Sequence, residues 1–276
     1  MGERIGLKLH LPKALMISGG CLLILVMIAV LAPHLMPHDP YEVDIIHKLQ
    51  PPSWDYPLGT DHLGRCVLSR IIAGARVSLT AAFVVIAITL VLSLIIGIAA
   101  GYMGGWLDQL LMRICDLFLA FPSLIFALAI VGLLGGGVVN LVVAMVAVHW
   151  VGYARMIRMM VVSLKERNYV LSAKITGASG IRIMFQHILP FVLPQIIVLQ
   201  FLQMGSIILQ ISELSFLGLG VQAPMAEWGM MINDSKSLMG SHPLLMIAPG
   251  MMIFVTVVAF NWFGDTLRDT LDPKLS

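Results

Sequence analysis

Long apolar runs separated by short polar stretches set the pattern of this chain. Six of them approach the roughly 20 residues a helix needs to cross a bilayer. They are Ala14–Leu31, Val77–Ala100, Leu117–Leu134, Val138–Tyr153, Phe191–Ile211 and Leu244–Phe263. None alternates apolar and polar residues with period two, and an open strand would leave backbone groups unpaired in lipid, so helices are expected. The pattern predicts an all-α polytopic membrane protein whose single transmembrane domain covers residues 1–276. Residues 33–76 and 212–243 read as external loops, and residues 163–190 as a cytoplasmic loop.

Composition supports this. Only 12% of the residues are charged, 59% are hydrophobic, and the mean hydropathy is +0.94. A soluble domain carries about 25% charged residues, so this chain has too little polar surface to cover a water-soluble body. The net charge of +2 gives no argument for nucleic acid. Cys21, Cys66 and Cys115 form neither a disulfide framework nor a paired-cysteine metal motif, and Cys21 and Cys115, lying in apolar runs, are expected only to pack.

Charge sets the orientation. With the N-terminus cytoplasmic, twelve of the 17 Lys and Arg residues fall inside, and only Lys48, Arg65, Arg70, Arg76 and Lys236 fall outside. The positive-inside rule then places both termini in the cytoplasm. Arg4, Lys8 and Lys13 ahead of the first run also fit a cleaved signal peptide. The apolar stretch is longer than a usual signal core, and Pro33-His34 follows it, so a retained anchor is expected.

The cytoplasmic loop reads SLKERNYVLSAKITGASGIRIMFQHILP from Ser163 to Pro190. Asn168 is expected to cap a short helix beginning at Tyr169, with Val170, Ala173 and Gly177 on one face. Gly177 and Gly180 are expected to end that helix, and Pro190 to open the next span. A small-residue face exposed to the cytoplasm fits a partner's groove. An amphipathic helix resting on the membrane surface accounts for the same residues.

This loop resembles the coupling loop of bacterial ABC-importer permeases, which reads Glu-Ala-Ala, three residues, Gly, nine residues, Ile-x-Leu-Pro. Here the triplet is Leu171, Ser172 and Ala173, the glycine is Gly177, and the final four are His187, Ile188, Leu189 and Pro190. Leu171 and His187 depart from the pattern. LGTDHLGR at Leu58–Arg65, LSFLGLGVQ at Leu214–Gln222 and NWFGDTLRDTLDP at Asn261–Pro273 are similar to the dipeptide, oligopeptide and nickel permeases. Leu171, Ala147–Trp150 and the string APMAEWGMMINDS at Ala223–Ser235 resemble the nickel branch most.

The resemblance implies a type I importer permease in the bacterial inner membrane, carrying nickel or a nickel chelate. Dipeptide or oligopeptide import is the alternative within the family, and an ion-coupled secondary transporter the alternative outside it. It implies a second homologous permease, two ATPase subunits that bind the ATP and Mg, an extracytoplasmic substrate-binding protein, and surrounding lipid. It also implies that Val170, Leu171, Ser172, Ala173, Gly177, Ala178 and Pro190 form the ATPase-coupling loop.

No residue set points to catalysis. None of the seven lysines follows a glycine, so there is no phosphate-binding loop, and neither His-Glu-x-x-His nor Gly-x-Ser-x-Gly occurs. The GLLGGG of Gly132–Gly137 reads as a turn or a close helix contact. Ionisable groups within spans are costly, so His149, with Glu213 and Glu227 near span ends, are the candidates for a substrate path. A hydrogen bond to a neighbouring helix accounts equally for His149. The 19 methionines fit apolar packing as well as a soft-metal trail, and no metal site is expected. Asp265–Arg268 and Arg268–Asp272 are expected to pair along the last helix before Pro273 stops it.

Overall fold

The computed structural model describes residues 13–271. Eleven α-helices carry the fold among them: α1 (Lys13–Val30), α2 (Ala32–Leu35), α3 (Val67–Met103), α4 (Gly105–Leu119), α5 (Ser123–Leu134), α6 (Val138–Lys165), α7 (Asn168–Ile175), α8 (Gly180–Ile183), α9 (Leu189–Phe216), α10 (Trp228–Ser235) and α11 (Leu244–Leu271). Strand pairing among the described residues is limited to an isolated bridge between Thr60 and Cys66. The all-α expectation therefore holds.

Five helical stretches are long and apolar enough to cross a membrane: α1, α3, α6, the run Gly180–Phe216, and α11. The sixth expected span, Leu117–Leu134, is not one helix. α4 and α5 meet at Ala120–Pro122 with a bend of 88°. Pro122 lacks the N–H that would continue α4, and a residue before proline is pushed out of the helical region.

The other spans outrun their apolar cores. α3 has 37 residues, or ~55 Å at 1.5 Å per residue, against ~30 Å of hydrocarbon. Its outer two turns therefore rise into the external layer and carry Arg70 there. Pro190 lies within a continuous helical run, immediately after a π turn at Met184–Ile188. It has no N–H for the ordinary ladder, and the widened turn accommodates that loss.

The largest helix contact is α3 on α6. Thr89, Ser93, Gly97 and Gly101 are buried on α3 at four-residue spacing and so share one face. A Cβ on Gly97 would come within 2.7 Å of the Ala154 carbonyl oxygen and of Ile157, and one on Gly101 within 2.7 Å of Val161. The two backbones touch because those side chains are missing. α9 packs on α11, and α1 lies along α11, with the Ser18 and Thr266 hydroxyls 2.9 Å apart. The Gly135–Gly137 segment is a turn between α5 and α6, its Gly137 N–H donating to the Gly220 carbonyl at 2.9 Å.

Three local expectations need correction or limits. Asp265 and Arg268 make no ion pair among the described residues; Asp272 and Pro273 lie outside those residues, as do Arg4, Lys8 and Lys274. Cys21 is exposed on α1 rather than packed, whereas Cys115 is buried as expected.

Gly97→Val is expected to destabilise the protein by about 1–3 kcal/mol through overpacking. Thermal unfolding in detergent should show this as a lower midpoint. Gly132→Val, at a site with no neighbour within 4 Å, should leave the midpoint nearly unchanged.

Candidate functional site

Two polar assemblies and one surface helix stand apart from the apolar bundle. The surface helix is α7, in the 163–190 loop. It begins one residue earlier than expected: Asn168 is its first helical residue, and Arg167 occupies the cap position without a side-chain cap bond. Its end is a Schellman motif. The Ala178 N–H donates to the Ala173 carbonyl at 3.0 Å and the Gly177 N–H to the Lys174 carbonyl at 3.1 Å. Gly177 sits at φ +84°, which favours glycine. Gly180 does not end this helix; it opens α8, capped by the Ser179 hydroxyl accepting from the Arg182 N–H at 3.3 Å.

The faces of α7 are also the reverse of the expectation. Val170 is only 3% exposed, and Ala173 and Ala178 pack beside it against Ile157, Val161, Ile183, Ile188 and Val192. Val170 and, in part, Ala173 are thus turned onto α6, α8 and α9 of the same chain, while Gly177 of the expected face stays exposed. The outward face carries Leu171 at 44% and Ile175 at 86% exposure, with Ser172 and Gly177 exposed beside them. An inward anchor and an outward apolar contact are what a lever between two bodies requires. Pro190, in the first turn of α9, is exposed but lies outside the α7 face.

The second assembly is a polar cap at the opposite end of the bundle from α7. Glu227, fully buried, caps α10 by accepting the Met230 N–H at 2.9 Å. It also accepts from Ser78 of α3 at 3.2 Å and Ser212 of α9 at 3.3 Å. Trp228 beside it donates its indole N–H to the Ile71 carbonyl at 3.1 Å. Burial pushes the Glu227 carboxyl above the ordinary carboxylate range, against backbone and hydroxyl hydrogen bonds that favour its charge.

Just outside lies a four-charge cluster. Arg65 Nε is 2.6 Å from Asp61 and its terminal nitrogen 3.8 Å from Asp234, while Arg70 is 3.5 Å from Asp61 and 3.9 Å from Asp234. Arg70 also donates to the carbonyls of Pro40 at 3.2 Å and Pro224 at 3.5 Å. One guanidinium thereby ties the segment after α2 and the segment after α9 to the start of α3.

The third is an open groove of about 450 Å³ between α4 and α6, lined by Asp108, Met112, Arg113, Asp116, Arg155, Arg158 and their neighbours. Arg158 grips Asp108 with two bonds at 2.8 and 2.6 Å. Arg155 reaches Asp116 at 3.2 Å. Arg113, Arg155 and Arg158 entered the sequence reading only among the positive charges expected on the inner side, and Asp108 and Asp116 did not enter it. Their pairing was not legible, because the partners lie about 40–50 residues apart on helices that the straight-span reading did not separate.

The substrate-path candidates do not form one site. His149 Nε2 is 3.2 Å from Gln210 Oε1, joining α6 to α9, which is the neighbouring-helix bond. Glu227 meets Ser212, two residues on and roughly 200° around α9. The two therefore approach opposite sides of that helix. Glu213, in the last turn of α9, is half-buried and makes no side-chain hydrogen bond or ion pair among the described residues. No group of three or more His, Cys, Asp or Glu residues positioned for a metal ion occurs among the described residues.

Membrane-length helices with a short helix docked across one end of them define a polytopic membrane protein. The family profile "Binding-protein-dependent transport system inner membrane component" matches residues 93–276, and "N-terminal TM domain of oligopeptide transport permease C" matches residues 12–52. The chain is 43% identical over 252 residues to the nickel transport system permease protein NikC of Escherichia coli, covering 91% of each chain. It is 42% identical over 250 residues to the dipeptide transport system permease protein DppC of Alkalihalophilus pseudofirmus, covering 91% of this chain and 82% of that one. A solved structure of the MetNI methionine ABC transporter in inward-facing conformations shares the fold, with TM-score 0.55 and 18% identity over 74% of this chain and 97% of that chain. The chain belongs to the inner-membrane permeases of binding-protein-dependent ABC importers, in the nickel, dipeptide and oligopeptide group. It is a transport subunit and not an enzyme; the ATPase is a separate subunit. That membership displaces the ion-coupled transporter.

A raised carboxyl pKa means that the folded protein holds this proton to higher pH than the unfolded chain does. The contribution to stability is then full below the ordinary value of 4.5 and is lost as pH rises toward the folded value. As pH rises above about 4.5 the unfolding midpoint of the wild type should fall relative to that of Glu227→Gln. Parallel curves would contradict this. Glu227→Ala, which strands three donors, is expected to cost about 1–3 kcal/mol for each one left unsatisfied.

Proposed function

We propose that this permease imports nickel, free or as a chelate, across the bacterial inner membrane. The observation that carries this reading is the match to the nickel permease over nine-tenths of both chains. Leu171 and the Ala223–Ser235 string point the same way, and Glu227 of that string is built into the external cap. Dipeptide import is the second reading, favoured by the 42% identity to a dipeptide permease.

In the proposed assembly this chain pairs with a second, homologous permease to enclose the path. Two ATPases dock on the two α7 helices, a soluble binding protein delivers cargo at the external cap, and both termini face the cytoplasm. ATP and Mg belong to the ATPases. Leu171, Ser172 and Ile175 meet the ATPase, while Val170, Ala173 and Ala178 transmit its movement to α6 and α9, with Gly177 and Pro190 shaping the loop between them. Closure of the ATPases then shifts the helices as rigid bodies, a transition of the kind that packed cores support because they switch rather than deform.

The cargo is tested by ATP-dependent uptake of radioactive nickel into proteoliposomes holding both permeases, the ATPases and the binding protein, with a dipeptide competitor. Nickel uptake insensitive to the dipeptide is expected. Dipeptide uptake without nickel uptake would overturn the nickel reading and leave the family intact. Separately, Ile175→Asp places a charge at the apolar contact. The ATPases should copurify with that variant at least several-fold less well, with the permease itself still folded.

A further inference from the structure

We infer that the α4–α6 groove is a cytoplasmic-side binding site for an aminocarboxylate, a ligand presenting carboxylate and ammonium groups together, as a free peptide or amino acid does.

The geometry supplies the reasons. α4 carries Asp108, Met112, Arg113 and Asp116 along one side and the exposed apolar residues Trp106, Leu110, Ile114 and Leu117 along the rest. Its apolar side suits lipid, and its polar side cannot face lipid, because charged groups in membrane helices turn to protein or to water-filled cavities. The groove's volume of about 450 Å³ lies within the range of small-molecule pockets.

Its charges are not all spent. Asp108 and Arg158 neutralise each other through two short bonds and hold α4 against α6. Arg155 and Asp116 share one exposed contact at 3.2 Å, and Arg113 makes no ion pair among the described residues. Two guanidinium groups beside one carboxylate are therefore free to rearrange. A bare phosphate or polycarboxylate would leave Asp116 without a partner, and a bare cation would leave Arg113 and Arg155 without one. A ligand bearing both signs satisfies all three. Met112 and Met159, which also line the groove, offer thioethers to an apolar side chain or to a soft metal.

The site lies on the inner side. Lys165, at the foot of α6, donates to the Tyr102 carbonyl at the foot of α3 at 3.2 Å, and Arg155 stands ten residues above it. Cargo leaving the path toward the cytoplasm would meet the groove there. This inference rests on the importer reading but not on the choice between nickel and peptide.

The test uses the complete complex of permeases and ATPases in lipid nanodiscs, without nucleotide, carrying Gln109→Cys at the groove's edge. The rate at which a maleimide labels that cysteine is measured with glycylglycine, nickel nitrilotriacetate, nickel chloride or inorganic phosphate. Protection by glycylglycine is expected, and the anionic chelate, which carries no ammonium, is expected to protect less. Arg113→Gln, which leaves both ion pairs of α4 in place, should weaken the apparent affinity about tenfold or more, the change produced by losing one charge-assisted hydrogen bond. Protection by nickel nitrilotriacetate, nickel chloride or phosphate without protection by glycylglycine, no protection at all, or a labelling rate that follows anionic lipid content and ignores the ligands would each overturn the proposal. Nickel or peptide uptake in the same preparation reports separately on the importer reading.

Discussion

Close backbone contact between α3 and α6 underlies the rest of the structure. Lipid tails are as apolar as leucine, so membrane helices gain little by hiding side chains from them, and association depends on close packing. Gly97 and Gly101 let α6 approach until Ala154, Ile157 and Val161 touch the α3 backbone. With that seam closed, Lys165 reaches Tyr102, Arg158 reaches Asp108, and Ile157 and Val161 are positioned to receive Val170 of α7. α7, the polar groove and the foot of the bundle thus share one support.

At the other end of α3 the problem is electrostatic. Arg65 and Arg70 are almost entirely buried, and each depends on both Asp61 and Asp234. Removing one member of such a buried set strands its partner's charge, at a cost of roughly 3–5 kcal/mol. Glu227 extends the same device inward as a buried cap shared by α3, α9 and α10. The external layer is therefore pinned to the spans by directional bonds. The inner end of the chain presents an apolar contact on α7. A docked binding protein and a docked ATPase would accordingly work against layers of different stiffness.

Much of this was legible in the sequence. Hydropathy located five of the six spans, since an apolar run of bilayer length has few other structural solutions. The coupling helix was found within one residue of its start, and the His149 bond to a neighbouring helix was anticipated. The break between α4 and α5 was missed although Pro122 marks it, because hydropathy sums over a proline without registering the change of direction. The orientation of α7 was inverted. Val170 and Ala173 do share a face, but periodicity alone does not say whether a face meets its own chain or a partner. The four-residue spacing of Thr89, Ser93, Gly97 and Gly101 was a usable sign of the α3–α6 seam. The cap and the groove had no comparable signal: Asp234 meets Arg65 across more than 160 residues.

Transmission from the ATPase face of α7 to the spans, through the buried contact of Val170, is the claim on which the functional account turns. Val170→Ala loosens that contact and leaves Leu171 and Ile175 unchanged on the outer face. The direct measurement is the amount of cargo accumulated per ATP hydrolysed, in proteoliposomes of the whole complex carrying this variant. The account predicts hydrolysis near the wild-type rate with several-fold less cargo per ATP. An unchanged ratio would show that α7 does not carry the movement, and that coupling runs through another part of the permease.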